Sequence, residues 1–176
     1  MIVIDAMIWV YNCDVKAPEY ENVHLWLEGK DGEGAIDVEE ILVNTVIVME
    51  VVHNLRRRAQ LPPELVYDYV LRMLALKNMT TAPLDRNLLH ASMHMFERYY
   101  KYGIGGRDTT ILATMLRRNV DTIATHDKKI LQIIDFRRID STHHPPRIFD
   151  VGQPQNKPKM VLVPCRGFES GAAAGI

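Results

Sequence analysis

The chain has 176 residues, 47% hydrophobic and 24% charged, which is enough apolar material for one well-cored domain and too little for two. Its 21 basic and 22 acidic side chains leave a formal net charge of −1, so any nucleic-acid partner must be met by local basic patches rather than by the whole surface. Two distant cysteines, Cys13 and Cys165, offer no disulfide framework and no zinc spacing, and suit a reducing compartment. The opening Met1-Ile-Val-Ile-Asp5 lacks the basic region of a signal peptide, and no apolar run approaches the roughly 20 residues of a membrane span. A cytoplasmic protein with no membrane part is expected.

Ile2-Val3-Ile4 is a short apolar run of the kind that forms a buried parallel strand, and Ala6 to Tyr11 reads as a helix. Residues 14–34 are polar, with Pro18, Gly29, Gly32 and Gly34, and predict a loop around a short helix near Glu19 to Glu28. Ile41-Leu42-Val43 is a second strand. Asn44-Thr45 can cap a helix from Val46 to about Gln60, ended by Pro62-Pro63, although the β-branched run Val46 to Val52 would also suit a strand. Pro63 opens a further helix to about Lys77. Met79-Thr80-Thr81 is a brief strand, and Leu84 to Tyr102 a long helix broken by Gly103, Gly105 and Gly106. Arg107 to Asn119 is helical, Thr122 to Thr125 a strand, Lys128 to Ile134 a short helix and Arg137 to Asp140 a last strand. Beyond Pro145-Pro146 the chain turns polar; Met160 to Val163 could add an edge strand, and Gly167 to Ile176 reads as a tail. Alternating strands and helices predict an α/β fold with a mostly parallel sheet and helices on both faces. Residues 1–150 make the domain and 151–176 a C-terminal extension, partly flexible.

In open parallel sheets, ligands bind beyond the carboxyl ends of the strands. Asp5 ends the first strand, and Asp127 stands two residues past Thr125, at the end of another. Asp108 falls in the first turn of a helix, and Glu50 is the only charge between Val46 and Val52. Ionised carboxylates so placed repel one another and are costly unless cations or hydrogen bonds meet them. Magnesium or manganese, hard cations that take oxygen ligands, would resolve the repulsion and activate a water. Taken singly, an acid after a strand is more often a helix cap than a functional group; the set of four carries the case.

The segments Met1-Ile-Val-Ile-Asp5, Val48-Met-Glu50-Val-Val-His-Asn-Leu55, Arg107-Asp108-Thr-Thr-Ile-Leu-Ala113 and Ile123-Ala-Thr125-His-Asp127 resemble, in order and spacing, the four acidic motifs of PIN-domain nucleases. The nearest subgroup by motif is the VapC-like toxin ribonucleases of type II toxin–antitoxin pairs, whose ending is similar to Phe136-Arg-Arg-Ile-Asp140. The resemblance covers about residues 1–145. It implies a three-layer fold around a parallel sheet of about five strands, and a catalytic magnesium or manganese site on Asp5, Glu50, Asp108 and Asp127. It also implies endonucleolytic RNA cleavage, a homodimer and an antitoxin partner. Thr125 matches a hydroxyl residue that supports the last acid. The chain departs from the pattern at Ala6-Met7, where a small polar residue is common, at Lys129, where many members carry an acid, and in the long 14–40 insertion. Two alternatives stay open: a PIN nuclease of RNA maturation or repair outside any toxin pair, and a non-cleaving module that binds RNA or a protein.

Other clusters carry less. His90 and His94 lie four apart on a helix without the Glu of a zinc-protease motif. His53 and His126 adjoin the acids, and His143-His144 precede two prolines. Of the basic runs Arg56-Arg57-Arg58, Arg117-Arg118, Lys128-Lys129 and Arg137-Arg138, most are solvated faces. Lys128 and Lys129, next to Asp127, are the best candidates for contact with RNA phosphate, with Arg107 beside Asp108 a further one. No P-loop or Gly-x-Gly-x-x-Gly motif is present.

Overall fold

The computed structural model describes residues 1–29 and 33–152. The predicted strand at Met160 to Val163 and the tail at Gly167 to Ile176 lie outside the described residues.

Strand β1 (Ile2–Ile4) is followed by α1 (Ala6–Tyr11), α2 (Tyr20–Glu28), α3 (Ala35–Val38), β2 (Ile41–Asn44), α4 (Thr45–Arg57) and α5 (Pro63–Leu74). Then come β3 (Met79–Ala82), α6 (Arg86–Tyr99), α7 (Gly106–Arg117), β4 (Thr122–Ala124), β5 (Arg137–Asp140) and β6 (Arg147–Phe149). The strands form one sheet in the order β3-β2-β1-β4-β5-β6. β1 to β5 run parallel and β6 is antiparallel to β5, with Ile139 opposite Ile148. Every residue of β1 and β2 is buried, which is why these strands read as unbroken apolar runs rather than alternating ones.

The order reverses at β1: the chain moves outward through β2 and β3, then returns to pair β4 on the other side of β1. Right-handed crossovers in opposite directions put their helices on opposite faces of the sheet, and they open a crevice between the carboxyl ends of β1 and β4.

The ambiguous stretch after β2 is helix. The Asn44 side chain accepts from the Ile47 N–H at 2.9 Å as an N-cap, and Ile47, Val51 and Leu55 form its buried stripe. The same Asn44 donates from Nδ2 to Thr114 Oγ1 at 3.0 Å, tying the end of β2 to α7. The helix expected over Lys128 to Ile134 is only a 3₁₀ turn at Ile130–Gln132, because Asp127 and the lysines hold the backbone in a loop. The helix expected to reach Tyr102 ends as α6 at Tyr99 and tightens into a 3₁₀ turn at Tyr100–Tyr102. Gly103 follows with φ +76°, a left-handed conformation that glycine adopts freely. It turns the chain toward α7.

The sheet has six strands rather than about five. β6 escapes the sequence because its three residues all lie exposed on an edge and carry no burial pattern. The segment 14–40, expected to be an insertion, contributes α2, whose Val23 and Leu27 are buried in the core, and the single turn α3. No described helix is long and apolar enough to cross a membrane.

Leu112, fully buried on α7, anchors the core, whereas Leu65 on α5 is 53% exposed. Leu112→Ala is expected to cost about 2–5 kcal/mol in urea unfolding and Leu65→Ala less than about 0.5 kcal/mol. Equal costs would contradict this packing.

Candidate active site

Asp5 follows β1 as the N-cap of α1, and its carboxylate faces the crevice between β1 and β4. Oδ1 accepts from the Ala6 N–H at 2.7 Å, and Oδ2 accepts from Thr125 Oγ1–H at 2.7 Å. Thr125, fully buried one residue past β4, uses the other side of its hydroxyl to accept the Asp127 N–H at 3.0 Å. One hydroxyl therefore fixes Asp5 and the backbone of Asp127 across the crevice.

Glu50 comes from the second turn of α4, with only 15% of its side chain exposed. Asp108 comes from the first turn of α7, where Oδ2 caps the helix by accepting the Gly105 N–H at 3.0 Å. Burial is the main cause that lifts the Asp5 pKa from 3.8 to about 6; the Thr125 and Ala6 bonds oppose it, and the Glu50 and Asp108 charges add to it. Burial also raises Glu50, Arg107 opposes this, Asp108 reinforces it and His53 opposes it. Three of the four predicted acids thus feel one another's charge.

Asp127 is joined to them through Thr125 rather than through its own carboxylate, whose Oδ1 accepts the Lys129 N–H at 2.7 Å. Arg107, expected to face RNA phosphate, places Nη1 2.6 Å from Glu50 Oε1 while 70% of its side chain stays exposed. It is the internal counter-ion of this group. Lys128 and Lys129 are exposed, and the Lys129 stem runs beside Gly103.

The donor set fits a hard divalent cation. It offers carboxylate oxygens alone, two of them on groups whose ionised form is destabilised by burial and by like charge. Among the described residues, no three His, Cys, Asp or Glu side chains already converge as a cluster. Glu50 is engaged with Arg107 and Asp108 with Gly105, so binding an ion would exchange these partners for the cation. His90 and His94 are exposed on α6 and join no such cluster.

A further polar group was not assembled by sequence reasoning. His126 Nδ1 lies 3.1 Å from Asp140 Oδ1 and 3.0 Å from Thr142 Oγ1, and its ring stands edge-on to Tyr11 at 6.3 Å. The β4–β5 register, which pairs Ala124 with Ile139, brings these residues together, and register leaves no periodic mark in a sequence. From the insertion, Asn22 Nδ2 donates to the Thr142 carbonyl at 2.9 Å, so α2 braces this rim.

The molecule is an α/β domain with a six-stranded, mostly parallel sheet and acids gathered at its switch point. The PIN domain family model matches residues 2–136, and the chain belongs to that family, a family of nucleases. Comparison with curated proteins finds no match. Among solved structures, the chain is similar to the Mycobacterium tuberculosis sarcin-ricin-loop-cleaving toxin VapC20 at 12% identity and a TM-score of 0.60, covering 74% of this chain and 94% of that one. It is similar to FitAcB of Neisseria gonorrhoeae at 18% identity and a TM-score of 0.59, covering 81% and 99%. It is also similar to the Rickettsia felis VapBC2 structure bound to a promoter DNA fragment, at 17% identity and a TM-score of 0.53, covering 76% and 93%.

Because the folded pKa of Asp5 exceeds its unfolded value, its contribution to stability is fully present below pH 3.8 and is lost as pH rises through about 6. At higher pH the ionised carboxylate costs roughly 3 kcal/mol in the metal-free protein. Asp5→Asn, kept in chelator, should therefore raise Tm at mildly alkaline pH and give no gain near pH 4. Thermal unfolding across that range checks it; an equal gain at both ends would contradict the assignment.

Proposed function

We propose that the chain is a divalent-metal-dependent endoribonuclease that hydrolyses RNA phosphodiester bonds and acts as the toxin of a toxin–antitoxin pair. The observation that carries this reading is the destabilised charge on Asp5 and Glu50, shared with Asp108 at the end of a parallel sheet. Stability is being spent where a cation would recover it. Asp5, Glu50 and Asp108 would hold magnesium or manganese, with Asp127 beside them on the Thr125 hydroxyl. When bound, the ion supplies an activated water and neutralises charge developing on the phosphate.

The chain's own groups do the positioning. Ala6 N–H and Thr125 Oγ1–H hold the two Asp5 oxygens so that their remaining lone pairs face the crevice. Arg107, once exchanged from Glu50, is free to meet a phosphate oxygen with a charge-assisted bond. Lys128 and Lys129 extend the basic edge along the RNA backbone.

Arg107 also bears on the partner. A guanidinium already sits on Glu50 within this chain, so a basic side chain from an antitoxin can occupy the same carboxylate. The resemblance to VapC20, named as a cleaving toxin, and to VapBC2, solved on a promoter DNA fragment, supports this reading; a homodimer belongs to it as an expectation of the motif resemblance alone. The insertion favours a second reading, a PIN nuclease of RNA maturation outside a toxin pair. Its Asn22 reaches the rim of the crevice at Thr142, so α2 borders the side by which a partner segment would enter.

Manganese or magnesium at millimolar concentration should raise Tm, and Asp108→Asn should weaken that rise. In an assay on total RNA, Glu50→Gln should abolish cleavage without loss of fold; full activity in that variant would remove Glu50 from the site. Arg107→Ala, which deletes the competitor for Glu50, should tighten metal binding by calorimetry while raising KM for RNA about tenfold or more, the worth of one charge-assisted bond. Unchanged values for both would show that Arg107 acts only as surface charge.

A further inference from the structure

His126 stands between Thr125 and Asp127, held by groups that the carboxylate chemistry does not use. Its Nδ1 is 3.1 and 3.3 Å from the two Asp140 oxygens and 3.0 Å from Thr142 Oγ1. Asp140 is only 4% exposed. Burial alone would raise its carboxyl, but the Thr142 and His126 bonds outweigh burial and hold it below the usual range. Asp140 is therefore ionised and only accepts. Thr142 donates its hydroxyl proton to Asp140 Oδ1 at 2.6 Å, and its N–H reaches the same oxygen at 3.2 Å, so toward the ring this hydroxyl can only accept. An imidazole nitrogen facing three acceptors must carry the proton, since otherwise lone pairs would oppose one another.

The tautomer is thereby set, and in the neutral ring Nε2 is a bare acceptor. It has no hydrogen-bond partner among the described residues, and the side chain is 31% exposed. Tyr11 packs edge-on against the ring, and Asn22 fixes the Thr142 segment from α2, so ring plane and Nε2 direction are both held.

We propose that His126 reads ribose: Nε2 accepts a hydrogen bond from a substrate 2′-hydroxyl next to the cleaved phosphate, with Asp140 and Thr142 as positioning residues. The 2′-hydroxyl is the group by which a protein tells RNA from DNA at a given position, and it can donate. A phosphate oxygen cannot, and would meet Nε2 lone pair to lone pair. This inference rests on the ribonuclease reading above and adds a cause for the choice of sugar.

The test uses oligoribonucleotides with a single 2′-deoxy substitution at each position around the cleaved bond, assayed with full-length protein and manganese at mildly alkaline pH. For the wild type, one position should cost roughly fivefold to tenfold in kcat/KM, mostly through KM, as expected for one neutral hydrogen bond. In His126→Asn the amide can still bond Asp140 but falls short of the Nε2 position, and the penalty at that position should vanish with kcat retained. His126→Gln carries an amide oxygen to the Nε2 position and should restore part of it. A wild-type scan with no sensitive position overturns the assignment without needing any variant. An unchanged penalty in a folded His126→Asn also overturns it, as does a methylphosphonate sensitivity that His126→Asn abolishes while the 2′-deoxy penalty stays. If the wild type cleaves no RNA in any condition, the ribonuclease reading itself is lost; cleavage of all deoxy-substituted substrates at one rate refutes only the role of His126.

Discussion

The molecule is organised around the cost of keeping one carboxylate out of water. Asp5 ends the strand at which the sheet order reverses, and only 8% of it is exposed. An ionised group in that place needs donors or a cation, and the surrounding chain supplies two donors, the Ala6 N–H and the Thr125 hydroxyl. Glu50 and Asp108 then make its position worse rather than better. Such an arrangement has no use in a purely structural core, where an apolar residue would cost nothing. Arg107 relieves part of the repulsion through Glu50, but its long exposed side chain is a partner that can be exchanged. Burial and the neighbouring acids thus pull against the two donors and the exchangeable Arg107 contact at this one place.

Much of this could be read in the sequence because burial leaves a mark. Strands β1 and β2 are covered on both faces, so Ile2 to Ile4 and Ile41 to Val43 appear as unbroken apolar runs, and the acids that end strands or interrupt apolar segments stand out against them. The α4 segment was undecided between helix and strand because its β-branched residues argue one way and its length and cap the other. Asn44 settles it by bonding Ile47. Pairings between distant residues left no mark. Glu50 with Arg107, and His126 with Asp140 and Thr142, are products of topology and strand register, which no local pattern encodes. The edge strand β6 was hidden for the opposite reason: exposed on all three residues, it looks like loop.

The insertion gains meaning from the rim it supports. Its helix α2 buries Val23 and Leu27, and links to α1 through Asn12, whose Nδ2 donates to Glu28 at 2.6 Å and whose Oδ1 lies 2.9 Å from His24 Nδ1. It then reaches β5's end through Asn22. The solved structures are covered almost end to end by this chain, at 94% and 99%, whereas the matches cover 74% and 81% of this chain.

The parallel sheet also fixes when the site can exist. The Thr125–Asp5 hydrogen bond closes a gap of 120 residues, and β1 gains its second neighbour only when β4 is available. During synthesis the first acid leaves the ribosome early, beside β2 partners but without its hydroxyl donor, while Asp127 and the Asp140 clamp come from the last quarter of the described chain. Loop-closure entropy delays such long-range pairing until both ends are present. A nascent or truncated chain ending before β4 can therefore fold some of its helices, but it cannot assemble the acidic crevice, so the order of translation itself keeps the crevice unformed until almost the whole domain has been made.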